Sequence, residues 1–398
     1  PNEKHRFNVF ASAQHINRDS YYGPGDRDPL DAYGNTTDLN WMAGSQYVYS
    51  FGKCIFMPAD LTAGIEFNQD KLEDNMWGYH RTVDQKVNIG SAFFQNEWKN
   101  EHWGFLIGGR LDKHNLIDHV IFSPRANLRY NPTENINLRF SYSSGFRAPQ
   151  AFDEDLHVEN VGGNVAMVEL ADNLKEERSQ SLSASADIYH RFGAFQVNFL
   201  VEGFYTKLSD VFALTDGEVV DGILTRTRYN APGARVMGLT LEGKMAYLTK
   251  FQVQAGVTLQ QSHYSEPHVW NKEAPAVKKM MRTPNTYGYF TATYTPIKPL
   301  SIALSGTYTG SMLVPHEPVP GFLEKPITVN TKDFFDIGLK AAYDFKLYKS
   351  MNLQVNAGVQ NIFNAYQNDF DKGADRDSGY IYGPSLPRSF FAGVKISY

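Results

Sequence analysis

Hydrophobic and polar residues alternate with a period of two along most of the chain. Residues 182–188 place leucine, alanine and isoleucine at even positions, with serine or aspartate between them. Residues 251–260 repeat the pattern, with apolar side chains at odd positions and mainly glutamine or threonine at even ones. Successive side chains of a β-strand point to opposite faces of the sheet. Each segment is therefore predicted to be a strand with one apolar and one polar face.

About sixteen such segments occur, so the sequence predicts an all-β protein. Many exceed the ~5–6 residues usual in soluble sheets, and they match the ~9–11 residues that a tilted strand needs to cross a bilayer. The predicted strands are 5–17, 38–51, 60–69, 83–95, 102–112, 120–130, 136–146, 174–190, 194–207, 236–248, 251–264, 285–295, 300–313, 334–346, 352–363 and 388–398.

The predicted connections alternate between short turns and long polar loops, although residues 52–119 follow this rule less cleanly. The short turns are 131–135, 191–193, 249–250 and 296–299, and the long loops are 18–37, 147–173, 208–235, 265–284, 314–333 and 364–387. This asymmetry is typical of transmembrane antiparallel β-barrels, whose periplasmic turns are tight and whose extracellular loops are long. Both chain ends then fall on the short-turn side. The last strand carries aromatic residues at both ends of its apolar face, Phe390 and Tyr398, as expected for girdles that flank the lipid.

Composition and charge exclude several other classes of protein. The net charge is −5, which gives no electrostatic basis for nucleic-acid binding. The single cysteine, Cys54, cannot form an intramolecular disulfide or a cysteine-based zinc cluster. No apolar run approaches the ~18 residues of a transmembrane helix. No common hydrolase, Walker A or zinc-protease motif occurs, so we predict that the protein is not an enzyme. The acidic run at 153–155 beside His157 is interpreted as charge on a solvated loop.

Five short motifs resemble the C-terminal barrel of TonB-dependent outer-membrane receptors, and they follow the order of that family. They are Gly145-Phe146-Arg147-Ala148-Pro149 at the start of a long outer loop, Leu174-Lys175-Glu176-Glu177-Arg178-Ser179 (with Glu176 where proline is usual), Arg282-Thr283-Pro284-Asn285, Val359-Gln360-Asn361-Ile362-Phe363-Asn364, and Pro387-Arg388 before the terminal strand. The resemblance is clearest over residues 120–398. The segment 382–388 is similar to that of members from Bacteroidetes.

This resemblance implies a 22-stranded barrel with an N-terminal plug inside it. Residues 1–398 would be the C-terminal portion of the barrel, with the plug and about six strands expected upstream. By resemblance, the receptor imports a scarce metal chelate, a siderophore, haem or cobalamin, across the outer membrane of a Gram-negative bacterium. The TonB–ExbB–ExbD complex would supply energy through the plug. The alternative is a passive sixteen-stranded porin.

Candidate ligand-binding residues lie on the predicted outer loops, and no resident cofactor is expected. His157 follows the Gly145–Pro149 motif, where haem-specific family members carry an iron-ligating histidine. Aromatic residues on these loops could stack on a planar ligand or belong to the interfacial girdle; they are Tyr21, Tyr22, Tyr33, Trp77, Tyr79, Trp270 and Phe322. Asp26, Asp28 and Asp31 lie among glycines that permit tight turns, so they are candidate Ca²⁺ ligands or simply part of a solvated acidic loop.

Overall fold

A computed structural model describes residues 4–22, 32–156, 158–161, 164–220, 222–348, 350–373, 375–384 and 386–398. The strands are β1 His5–Tyr21, β2 Tyr33–Cys54, β3 Met57–Met76, β4 Arg81–Lys99, β5 Trp103–His114, β6 Ile121–Thr133, β7 Ile136–Arg147, β8 Glu159–Val161, β9 Asn164–Leu170, β10 Glu177–Phe192, β11 Phe195–Val220, β12 Ile223–Tyr247, β13 Phe251–His268, β14 Val277–Lys279, β15 Thr286–Ile297, β16 Leu300–Thr309, β17 Leu313–His316, β18 Ile327–Asn330, β19 Phe334–Tyr348, β20 Met351–Gln360 and β21 Ser389–Ser397. Two single-turn helices, η1 Trp77–Tyr79 and α1 Asp153–Leu156, lie in connections.

Sixteen of these strands are long, and each pairs antiparallel with the next long strand along the chain. This up-and-down order confirms the predicted strand count and the antiparallel fold. The five short strands, β8, β9, β14, β17 and β18, belong to the long connections. Within the described residues, β1 pairs only with β2 and β21 only with β20, so each terminal strand has one free edge.

The register brings the apolar rows of neighbouring strands onto one face. Leu182 of β10 lies opposite Tyr142 on one side and Tyr205 on the other, whereas the adjacent Ser183 lies opposite Ser141 and Phe204. Apolar side chains of this face remain exposed along the sheet; they reach 65% exposure at Phe7, 68% at Val394 and 79% at Phe390. A broad apolar surface that no other part of the chain covers is what contact with lipid requires.

The structure corrects one predicted loop. Residues 208–235 do not form a long loop, because β11 and β12 continue outward as a ladder that ends at Val220 opposite Ile223. The strands bend where Asp210 has a φ of 54° and Gly233 a φ of 146°. Strand β9 joins the outer part of this hairpin by pairing parallel to β12. The long connection after β7 is therefore attached to the outer part of this hairpin through β9.

Buried hydrophobic residues cluster under the outer connections, where they pack the loops against the strand ends. One cluster contains Met76, Tyr79, Val165 and Met167; a second contains Ile117, Ile121 and Ala148; a third contains Met312, Val314 and Tyr380. Among the described residues, no helix is long and apolar enough to cross a membrane. The packed part of this chain thus lies at the long-loop end of the sheet.

Candidate functional site

The Gly145–Pro149 motif lies at the end of β7, where the strand gives way to the longest connection. The guanidinium carbon of Arg147 lies 3.9 Å from the centroid of the Phe152 ring and 5.6 Å from that of Phe212. Ala148 is buried in the cluster with Ile117 and Ile121. A cation over an aromatic face is attracted by the ring quadrupole. The motif therefore fixes the first turn of the loop against the outer part of β11.

A buried ion pair holds the next part of this loop. Asp155 of α1 is 2% exposed and Arg228 of β12 is 6% exposed. Nη1 of Arg228 donates to Oδ2 of Asp155 over 2.7 Å, and its guanidinium lies within 6 Å of both the Phe152 and Phe212 rings. The interpretation of the acidic run as solvated is therefore wrong for Asp155. A carboxylate can be buried here because a cation from a distant strand pairs with it.

A second arginine attaches the same turn to the barrel wall. Arg81, the first residue of β4, donates through Nη1 to the carbonyl oxygen of Leu156 over 3.2 Å, and through Nη2 to that of Asp155. Its Nη1 also lies 3.9 Å from Oδ2 of the fully buried Asp74, whose Oδ1 accepts a 2.6 Å hydrogen bond from Thr36. The loop is thus connected through polar contacts to β2, β3, β4 and β12.

A cavity of about 1040 Å³ lies between the start of β4, the loop after β7, β9 and the outer end of β12. Its lining combines cationic and acidic side chains with apolar ones, among them His80, Arg81, Asp155, Met167 and Glu169. Ligand pockets of drug-sized molecules have volumes of about 300–1,000 Å³. The cavity is therefore large enough for a small organic ligand, and the sequence did not indicate it because β9 was predicted as loop.

The structure separates the predicted aromatic residues by environment. Tyr21 and Tyr33 face each other at the outer ends of β1 and β2, with ring centroids 5.1 Å apart and both side chains exposed. Trp77 is exposed in η1, whereas Tyr22 is half-buried against the cluster of Met76 and Tyr79. Trp270 is buried in the connection after β13.

Four predicted ligands cannot be placed. His157 and the aspartates at 26, 28 and 31 lie outside the described residues, so haem ligation and Ca²⁺ binding at these positions stay predictions. Asp19, which precedes these aspartates, is described: it accepts a 2.9 Å hydrogen bond from Asn35 across the β1–β2 pair, within strands that extend further than predicted.

The loop between β20 and β21 contains a polar cluster that sequence analysis missed. The Tyr382 hydroxyl donates to both oxygens of Asp369 over 2.7 Å, and the Tyr380 hydroxyl donates to the same carboxylate over 3.3 Å. Burial, together with the nearby Asp369 carboxylate, raises the pKa of Tyr380 to about 12. The same two causes raise the pKa of Tyr382.

This shift predicts a loss of loop stability at high pH. An unfolded tyrosine titrates near pH 10, so the contribution of Tyr380 should be complete below pH ~10 and should disappear as the pH rises through about 12. Ionised tyrosine absorbs at 295 nm, so this absorbance is titrated with pH for the wild type and for Tyr380→Phe. The difference between the two curves reports ionisation of Tyr380 and should have its midpoint at about pH 12. A difference midpoint near 10 would contradict the arrangement.

Comparison with known families identifies the barrel. Residues 2–362 match the family model described as TonB dependent receptor-like, beta-barrel. The chain belongs to the TonB-dependent receptor family. Members of this family are outer-membrane proteins of Gram-negative bacteria, so this chain is an outer-membrane protein. They are transporters and not enzymes, in agreement with the prediction that the protein is not an enzyme. No curated protein matches the chain in sequence.

Solved structures of siderophore receptors share this fold. A mutant of the ferric enterobactin receptor PfeA of Pseudomonas aeruginosa, in complex with enterobactin, is 17% identical over 98% of this chain and 59% of its own, with a TM-score of 0.71. The siderophore receptor PirA of Acinetobacter baumannii is 16% identical over 98% and 59%, with a TM-score of 0.68. The ferric-catecholate import receptor Fiu of Escherichia coli K12 is 14% identical over 99% and 62%, with a TM-score of 0.66. The chain thus spans about 60% of the length of these receptors.

Proposed function

We propose that this chain is the barrel portion of a receptor that imports a ferric siderophore across the outer membrane with energy from TonB. The observation that carries the proposal is the family match over residues 2–362. The named ligands of the similar structures, siderophores and enterobactin, favour a siderophore over haem or cobalamin. The chelated iron is cargo in this scheme, and the ExbB–ExbD proteins are expected to work with TonB.

The free edges of β1 and β21 support the further proposal that additional strands and a plug complete the barrel. Unpaired backbone groups are not tolerated in lipid, so another part of the protein must pair with these edges. A sixteen-stranded porin would pair its first strand with its last, and the described residues contain no such pairing. An open lumen of about twenty strands would leak unless it were filled, which is why we expect a plug.

The large outer cavity supports binding on the extracellular side. It combines cations, such as Arg81, with apolar walls, such as Met167. Many ferric siderophores are anionic chelates with apolar or aromatic arms, so a mixed lining of this kind suits them. The Arg147 and Arg228 contacts then serve to hold one wall of the cavity, the loop after β7, in place.

Uptake assays with the complete receptor test this function. The receptor should be expressed in a Gram-negative host that lacks its own siderophore receptors, with and without TonB. We expect iron-55 uptake from a ferric siderophore only when TonB is present. Ferric enterobactin, a ferric hydroxamate, haemin and cobalamin should be compared as substrates.

Two results would contradict the proposal. Uptake of small sugars without TonB would indicate a porin, and TonB-dependent growth on haemin without siderophore uptake would indicate a haem receptor. In the second case, His157→Ala should abolish growth on haemin if that residue ligates the iron.

A further inference from the structure

Three potential metal ligands meet at the base of the loop that joins β17 to β18, next to the last hairpin pair, His316 and Ile327. His316 is the last residue of β17, and Asp371 and Asp377 belong to the loop between β20 and β21. One ligand atom from each residue lies within 4.8 Å of the other two. Nε2 of His316 is 2.9 Å from Oδ2 of Asp371. This group, His316, Asp371 and Asp377, is called the hairpin-base cluster below.

The hairpin-base cluster is buried. His316 is 6% exposed, Asp377 is 5% exposed, and the Asp371 side chain is 5% exposed. The imidazole of His316 stacks on the ring of Tyr380, with centroids 3.8 Å apart and an interplanar angle of 7°. This stacking fixes the plane of the imidazole, so Nε2 is held toward the two carboxylates.

The buried carboxylates outnumber the cations beside them. Glu317, also buried, pairs with Arg226 over 2.7 Å. In the described part of the chain, Asp377 accepts only from the backbone N–H groups of Glu317 and Gly379. Asp371 accepts only from His316 and from the backbone N–H of Asp377. Among the residues that the structure describes, these two buried aspartates therefore have no lysine or arginine partner.

Buried charges in proteins are normally paired or bound to a metal. We propose that the hairpin-base cluster binds a divalent first-row metal ion of the zinc type. One imidazole and two carboxylates form a donor set that suits Zn²⁺ or Mn²⁺ better than Ca²⁺, which takes six to eight oxygen ligands. Three protein ligands leave the fourth position of a tetrahedral zinc to water.

Metal binding requires only a small rearrangement. Ligand atoms of tetrahedral zinc lie about 3.3–3.5 Å apart, since each is about 2.0–2.2 Å from the metal. Ligand atoms up to 4.8 Å apart must therefore close by as much as about 1.4 Å, whereas Nε2 of His316 and Oδ2 of Asp371, now 2.9 Å apart, must separate by about 0.5 Å. The 2.9 Å contact between Nε2 of His316 and Oδ2 of Asp371 requires a proton between these two atoms. That proton must leave Nε2, for Nδ1 or for solvent, before the Nε2 lone pair binds the metal.

The site would join two outer segments that are far apart in sequence. His316 fixes the β17–β18 hairpin, whose tip carries the exposed Phe322, and the two aspartates fix the last long loop. A metal ion at this point acts as a crosslink in the outer layer of the barrel. It is separate from the chelated iron of the proposed import function and from the cavity beside β9.

Equilibrium dialysis of the complete receptor in detergent tests the site, with ZnCl₂ as the probe. The wild type should bind one more zinc ion per chain than Asp371→Asn or His316→Phe, and each variant should lower the affinity of that site at least tenfold. His316→Phe retains a ring that can stack on Tyr380 and removes both nitrogens. Zinc should also slow proteolysis of residues 361–388 in the wild type and not in these variants.

Asp369→Asn is the matched control, because Asp369 lies in the same loop, is exposed and contacts tyrosine hydroxyls instead of the cluster. It should bind zinc like the wild type. The proposal would be overturned if the wild type and Asp371→Asn bound equal amounts of zinc. It would also be overturned if Asp369→Asn lost as much bound zinc as Asp371→Asn. Siderophore uptake is measured separately, so failure of either proposal is recognised independently.

Discussion

Replacing Arg228 with methionine should release the loop after β7 from the mouth of the barrel. The substitution removes the guanidinium that donates to the buried carboxylate of Asp155 over 2.7 Å. Removing one partner of a buried ion pair typically costs about 3–5 kcal/mol. If the loop opens locally, its open population should rise between about a hundredfold and several thousandfold, since 1.4 kcal/mol corresponds to a factor of ten. The rate of limited proteolysis within residues 148–176 measures that population.

Two further variants decide whether burial of the charge causes the effect. Lys99→Met removes a pair of similar length, 2.8 Å to Asp60, but these two side chains are 48% and 22% exposed. Its cost should be below about 1 kcal/mol, because solvent screens such pairs. The double variant Asp155→Asn, Arg228→Met should recover much of the loss, since position 155 then carries no buried charge. Similar proteolysis of Arg228→Met and Lys99→Met within residues 148–176 would show that the pair of Asp155 and Arg228 does not hold the loop.

The sheet could be predicted because its signal is local. Alternation within each segment determines both the strand and its two faces, and the observed register continues the same faces across neighbouring strands. The strand ends were predicted less well. Polar residues such as Asn17 and Asn35 interrupt the apolar pattern, yet backbone pairing continues through them to Tyr21 and Tyr33. Beyond the lipid, a strand has no need for an apolar face.

The outer β11–β12 hairpin had a signal that periodicity alone did not reveal. The dipeptide at 221–222 is Asp-Gly, a strong hairpin signal between two strands. Gly222 has a φ of 75°, in the region that favours glycine. Considering this dipeptide together with the apolar run 211–214 would have predicted the hairpin in place of a 28-residue loop.

The contacts of the candidate sites had no comparable local signal. Asp155 and Arg228 are 73 positions apart, and His316 and Asp371 are 55 apart. Which cation meets which carboxylate depends on how the long loops fold over the barrel mouth. A single sequence gives the charges, and only the fold gives their pairing.

Placing an arginine at Leu182 should prevent most of the protein from assembling in the membrane. Leu182 lies near the middle of β10, is 40% exposed and belongs to the apolar face with Tyr142 and Tyr205. An arginine facing lipid costs about 2–4 kcal/mol at the bilayer midplane. The amount of heat-modifiable, folded receptor in outer-membrane fractions measures assembly, and we expect it to fall severalfold or more.

The adjacent residue supplies the control, because successive side chains of β10 point to opposite faces. Ser183 lies on the polar face beside Ser141, so Ser183→Arg keeps its charge away from lipid and should leave assembly much closer to the wild type. The two variants differ by one position and carry the same new side chain. If both assembled equally well, or if Ser183→Arg were the more damaging, the apolar face would not be the lipid-facing one. The inside and outside of the barrel would then have to be exchanged, and the polar lumen that a plug is proposed to fill would not exist.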